Sequence, residues 1–90
     1  MKVDFTKAKV EVTFGEYKEM DIAKAVGNAI HQNTFDIGVD ETARNIYHSE
    51  GELEIPDEQI SAIIYALSNA STILVSAKKA ALNLLKLTQE

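Results

Sequence analysis

DEQISAIIYALSNASTILVSAKKAALNLLKLT, residues Asp57 to Thr88, runs for 32 residues without a glycine or proline. At about 100° per residue its polar positions Ser61, Ser68, Asn69, Thr72, Ser76, Lys79, Asn83 and Lys86 fall in one arc. The arc keeps its phase across Ser68 to Thr72, which predicts one continuous helix; a helical hairpin broken at that point is the alternative. A helix of this length spans about 48 Å, against a diameter of roughly 30 Å for a 90-residue domain. One side carries Ile60, Ile63, Ile64, Leu67, Leu74, Val75, Leu82 and Leu85. The adjoining side carries Ala62, Ala66, Ala70, Ile73, Ala77, Ala80 and Leu84. A small sheet cannot cover both sides, and a long uncovered apolar strip is an aggregation hazard. The expected cover is a second copy, in a homodimer whose interface comprises Ala62, Ala66, Ala70, Ile73, Ala77, Ala80 and Leu84.

Upstream of this helix the periods change. Ala8, Val10, Val12 and Phe14 alternate with Lys9, Glu11 and Thr13, as in a half-buried strand. Gly15 permits a tight turn, and Glu16 to Met20 returns as the second arm of a hairpin. Val3 and Phe5 have the opposite parity, so the first residues either form a separate extended piece or join through a bulge near Thr6. Asp21 is placed to cap a helix that runs to about Asn33, with Ile22, Ala25, Val26, Ala29 and Ile30 on one face. Thr34 to Gly38 has no period and reads as a connection, with Phe35 or Ile37 plugging the core. A short second helix is expected from about Asp40, with Ala43, Ile46 and Tyr47 inward and Gly51 ending it. Glu52-Leu53-Glu54-Ile55 alternates and is expected to pair with the hairpin as a third strand. Pro56, Asp57 and Glu58 suit the first turn of the long helix.

The predicted fold class is therefore α+β in a single domain over residues 1–90: an N-terminal β-hairpin plus a third short strand in one antiparallel sheet, packed on two short helices and one long C-terminal helix. The composition is 46% hydrophobic and 26% charged, which is that of a folding chain. With no cysteine there are no disulfides, thiolate nucleophiles or sulfur-bound metals, and a cytoplasmic setting is expected. Asp4, Lys7, Lys9 and Glu11 interrupt the N-terminus, so no export signal is expected, and polar residues break the C-terminal stretch before it reaches a membrane span.

The net charge of −5 opposes non-specific binding to phosphate backbones. Lys78, Lys79 and Lys86 complement the negative end of a helix. Arg44 is the only base on the second helix, beside Asp40, Glu41 and Glu50, so the footprint of a DNA recognition helix is missing and nucleic-acid binding is not expected. His31 and His48 fall on polar helix faces and read as solvated residues. His48-Ser49-Glu50 has no standard metal-ligand spacing. The paired carboxylates Asp40-Glu41, Glu50 with Glu52, and Asp57-Glu58 sit where helix starts and strand edges account for them. No phosphate loop, nucleophile elbow or zincin motif occurs, so neither catalysis nor a cofactor is expected.

The segments Gly27-Asn28-Ala29-Ile30, Thr34-Phe35-Asp36-Ile37-Gly38, Glu41-Thr42-Ala43-Arg44-Asn45-Ile46-Tyr47 and Gly51-Glu52-Leu53-Glu54-Ile55-Pro56 resemble small, uncharacterised proteins encoded by phages and prophages of gut bacteria. The resemblance covers about half of the chain and lies in fold-forming residues. It implies an accessory role in a bacterial mobile element, exerted through protein contacts. Together these readings point to a non-catalytic interaction or assembly protein that oligomerises through its C-terminal helix. The alternative is a small regulator that binds nucleic acid or a nucleic-acid-binding partner.

Overall fold

A computed structural model describes residues 1–87 of the chain. Four strands and four helices follow one another: β1 (Lys2–Val3), β2 (Ala8–Thr13), β3 (Glu16–Met20), α1 (Ala23–His31), α2 (Ile37–Tyr47), β4 (Leu53–Glu54), α3 (Ile60–Ser68) and α4 (Val75–Leu87). Short 3-10 turns lie at Phe5–Lys7 and Asp57–Gln59. The fold class is α+β, as the two hydrophobic periods require.

The strands do not form one sheet. β2 and β3 make an antiparallel hairpin around Gly15, whose φ of 85° lies in the left-handed region that favours glycine. β1 pairs instead with β4, Lys2 opposite Glu54 and Val3 opposite Leu53, so the expected third strand meets the N-terminus rather than the hairpin. The cause lies at Asp4. Its carboxylate accepts the Thr6 amide at 2.9 Å and the Thr6 hydroxyl, folding Phe5–Lys7 into a turn that separates β1 from β2. Those bonds, the hydroxyl's first, outweigh partial desolvation and hold the Asp4 carboxyl below its ordinary pKa. Val3 and Phe5 thus belong to a separate piece, and both are buried. The period of two also fails at the end of β2, where a register shift between Glu11 and Thr13 leaves Val12 half-exposed and Phe14 in solvent.

α1 begins where Asp21 accepts the Ala23 amide at 3.0 Å. It ends where Asn33 Nδ2 donates to Ala29 O at 2.8 Å. α2 starts at Ile37, three residues ahead of the expected Asp40, because Asp36 accepts the amides of Gly38 and Val39 at 2.8 and 3.2 Å. Its inward residues are then Val39, Thr42, Ala43 and Ile46. That spacing leaves Ile37 off the buried face, so neither Phe35 nor Ile37 plugs the core; both are exposed. α1 and α2 run in opposite directions, with Lys24 over the Tyr47 ring at one end and His31 bonded to Asp40 at the other. Gly27 makes the approach possible: a Cβ there would lie 2.8 Å from both Ala43 O and Tyr47 Cβ.

The expected continuous helix is broken into α3 and α4 by residues 69–74. No glycine or proline stands at the break, and the side chains supply its bonds. Asn69 Nδ2 donates to Tyr65 O at 2.8 Å, and Lys78 Nζ donates to Ala70 O at 2.6 Å. Thr72 Oγ1 donates to Gln32 Oε1 at 2.6 Å, fastening the turn to the end of α1. Ser, Thr and Asn bond the backbone in non-helical shapes nearly as well as in helical ones, so such a run yields readily when packing rewards a turn. Folding back buries Ala66, Ala70, Ile73, Ala77 and Ala80 in the same core as Phe5, Ile30 and Leu67. The molecule measures 36 × 25 × 25 Å, too short for a helix of about 48 Å.

Candidate functional site

Five of the seven residues assigned to an oligomer interface, Ala66, Ala70, Ile73, Ala77 and Ala80, are buried by their own chain. Shielding comes from α1, α3 and β2, which pack on α4 or on one another. Leu84 is half-buried and Ala62 is exposed. The apolar strip from which the interface follows is therefore not uncovered at those five positions. Those five share one core, Leu84 packs against it, and Ala62 lies outside it.

Apolar surface is exposed elsewhere. Phe35 is fully exposed, Ile37 is 80% exposed and Tyr65 is 70% exposed. With Asn33, Thr34, Asp36 and Ala62 these three line one shallow depression between the start of α2 and the outer face of α3. Two helix faces create it. α2 turns Val39, Ala43 and Ile46 into the core and leaves Ile37 outside, and α3 turns Ile60, Ile63 and Leu67 into the core, leaving Tyr65 and Ala62 on the other side. The lining of the depression includes the exposed carboxylate Asp36, and the exposed carboxylates Glu41 and Glu58 stand four residues from Ile37 and Ala62, about one helical turn away along the chain. Across residues 36–58 as a whole, eight carboxylates face Arg44 as the single base, whereas residues 59–87 contain lysines and no acid.

A second, polar cleft of about 210 Å³ lies between α1 and α2, lined by Gly27, Asn28, His31, Asp40, Ala43, Arg44, Tyr47 and His48. Antiparallel packing of α1 on α2 brings both histidines to this cleft from faces that each helix alone presents as plainly solvated. His31 Nδ1 is hydrogen-bonded to Asp40 Oδ1, and His48 stands edge-on to Tyr47 with ring centroids 5.0 Å apart. Both imidazoles remain exposed. Among the described residues no three His, Asp or Glu side chains gather in a metal-binding group. The carbonyl-rich ends of α1 and α2 also lie near His31 and His48, which disfavours an anion there.

Of the paired carboxylates, Asp57 accepts from Met1 N at 3.1 Å, and Asp40 is engaged by His31 within the cleft. No helix of the described residues is long and apolar enough to cross a membrane. No protein-family model, curated protein or solved structure matches this chain.

The residues missed by the sequence reading are Phe35, Ile37 and Tyr65. A signal was present for the first two. Asp36 followed by Gly38-Val39, with inward positions at Val39, Thr42, Ala43 and Ile46, is a capped helix start, which ends the loop at Phe35 and leaves Ile37 off the buried face. Tyr65 had no such signal, since α3 is apolar on most of its circumference.

Proposed function

We propose that this chain is a non-catalytic interaction protein that seats a partner protein on the surface formed by Phe35, Ile37, Ala62 and Tyr65. The observation that supports this reading is the concentration of three large exposed side chains, two of them aromatic, at one depression with an exposed carboxylate in its lining. Aromatic anchors dominate the energetics of protein interfaces, and their exposure in a free chain is costly unless something covers them. Asp36, Glu41 and Glu58 favour a partner segment whose apolar anchors are flanked by Lys or Arg. An amphipathic helix laid along the groove between α2 and α3 meets that description. The resemblance read in residues 27–30, 34–38, 41–47 and 51–56 implies a partner within a bacterial mobile element.

The test has two stages. A tagged chain is used to isolate binders from its host, and the purified binder is then titrated against the chain and against Phe35→Ser and Tyr65→Ser. Both positions are exposed, so the variants keep their fold. Each substitution is expected to weaken binding by about tenfold or more, and binding is expected to weaken further with added salt. A binder whose affinity is the same for all three proteins overturns the proposal.

A further inference from the structure

The β2–β3 hairpin carries a second surface, separate from the Phe35 patch. β3 is exposed at all five positions, and its one hydrogen-bonded neighbour is β2. Among the described residues no backbone hydrogen bond links β3 to any other element, so its outer row of N–H and C=O groups is open. An open edge is a template for another strand, and proteins restrict what it accepts with a bulge, a proline, charges or a short length. β2 has its bulge at Val12; β3 has no bulge or proline and is regular from Glu16 to Met20, so the charges Glu16, Lys18 and Glu19 are what select its partner.

The side chains of β3 specify what fits that edge. When two antiparallel strands pair, directly opposite residues both turn their polar groups toward each other or both turn them away, and the two kinds alternate along each strand. A two-fold axis relating two copies of β3 must therefore set one residue opposite itself. Five registers are possible within the strand. Centring on Glu16 or Glu19 opposes two glutamates, centring on Lys18 opposes two lysines, and centring on Met20 opposes Glu19 to Asp21. Like charges directly opposite are destabilising. Centring on Tyr17 alone avoids them: Tyr17 meets Tyr17, and Glu16 meets Lys18 twice.

We infer that the free edge of β3 is a self-pairing surface, on which a second copy of this chain docks antiparallel about Tyr17 to make the four-stranded sheet β2-β3-β3-β2. The pattern Glu16-Tyr17-Lys18 is complementary to itself in this register and in no other that the strand offers. Only a short strand is buried, so the dimer is weak. It also stabilises a hairpin that two strands alone leave marginal. This inference does not depend on what occupies the Phe35 patch.

Sedimentation equilibrium of the full chain up to about 1 mM reads the association directly. Lys18→Glu places glutamates opposite Glu16 in both pairs and is expected to weaken the dimer by about tenfold or more. Glu16→Lys does the same with lysines, and the double variant Glu16→Lys/Lys18→Glu restores wild-type affinity, because the two pairs are merely exchanged. All positions changed are exposed, so the monomer fold is kept. The chain has no cysteine, which makes a second readout clean. Under mild oxidation Tyr17→Cys is expected to give a covalent dimer and Glu19→Cys is not, since Glu19 then lies opposite Gly15. A monomer at every concentration, a dimer indifferent to Lys18→Glu, failure of the double exchange, or equal crosslinking at both positions overturns the inference.

Discussion

The two helix pairs of this protein, α1 with α2 and α3 with α4, turn back by the same device. In each, an asparagine at the end of the first helix returns its side-chain amide to the carbonyl four residues earlier: Asn33 to Ala29 and Asn69 to Tyr65, both at 2.8 Å. The pairs differ in how they are held closed. α1 and α2 touch through Gly27, at a distance that excludes even a methyl group, and the turn between them ends on the Asp36 cap. α3 and α4 are held by alanines and aliphatics that share the main core. One pair is thus specified by local signals, and the other by what surrounds it. The contrast predicts which substitutions each pair tolerates.

The largest effect is expected at Ala70, which is 2% exposed at the α3–α4 turn. Ala70→Arg forces a long charged side chain into the core beside Lys78, whose Nζ already bonds Ala70 O. An unpaired buried charge costs several kcal/mol, on the order of the total stability of a domain this small, so the variant should be unfolded by circular dichroism at room temperature. Ala62→Arg is the control, one turn of α3 ahead of Ala66 but exposed. It should melt within about 0.5 kcal/mol of wild type while abolishing occupancy of the Phe35 patch. Normal stability of Ala70→Arg would show that the alanines face outward.

Next in size is Gly27→Ala. The added Cβ meets Ala43 O and Tyr47 Cβ at 2.8 Å, and neither is the end of a flexible chain. The helices must separate, at a cost of about 2–3 kcal/mol after the gain in helix propensity, measurable as a lower urea midpoint. A stabilised variant would mean that α1 and α2 do not approach as closely as Gly27 allows. Since α2 packs chiefly on α1, hydrogen exchange in α2 should accelerate more than in α4.

This difference between the pairs also explains what the sequence revealed. The hairpin and the first helix follow from period, glycine and capping residues, which act within a few positions. The break at 69–74 does not. Ser68, Asn69, Ser71 and Thr72 are equally consistent with a polar stripe on a straight helix, and only the core they allow Ala77, Ala80 and Leu85 to join decides between the two. The pairing of β1 with β4 is non-local in the same way, resting on the turn that Asp4 imposes fifty residues before Glu54. At the candidate sites the pattern repeats. Asp36, Glu41 and Glu58 were readable as acids but not in relation to one depression. His31 and His48 fall on polar faces of separate helices, and the cleft they share exists only once those helices pack. Phe35 or Ile37 is expected to plug the core because the segment reads as a loop, and the helix start at Asp36 leaves both exposed.

The smallest expected effect concerns the link between the two turns. Gln32 at the end of α1 accepts a hydrogen bond from Thr72 in the α3–α4 turn, so the turns closed by Asn33 and Asn69 are tied to each other. Asn33→Ala and Asn69→Ala each remove one side-chain bond to a helix carbonyl, worth about 1 kcal/mol. If the turns act as one unit, loosening the first reduces what the second has left to lose. The double variant should then lose less than the two single losses combined, by about 0.5 kcal/mol in a double-mutant cycle on chemical unfolding. Repeating the cycle in a Thr72→Val background cuts the tie and should restore additivity. Additivity already present in the wild-type background would leave the Gln32–Thr72 bond as a surface contact without energetic consequence, and the two helix pairs as independent folding units.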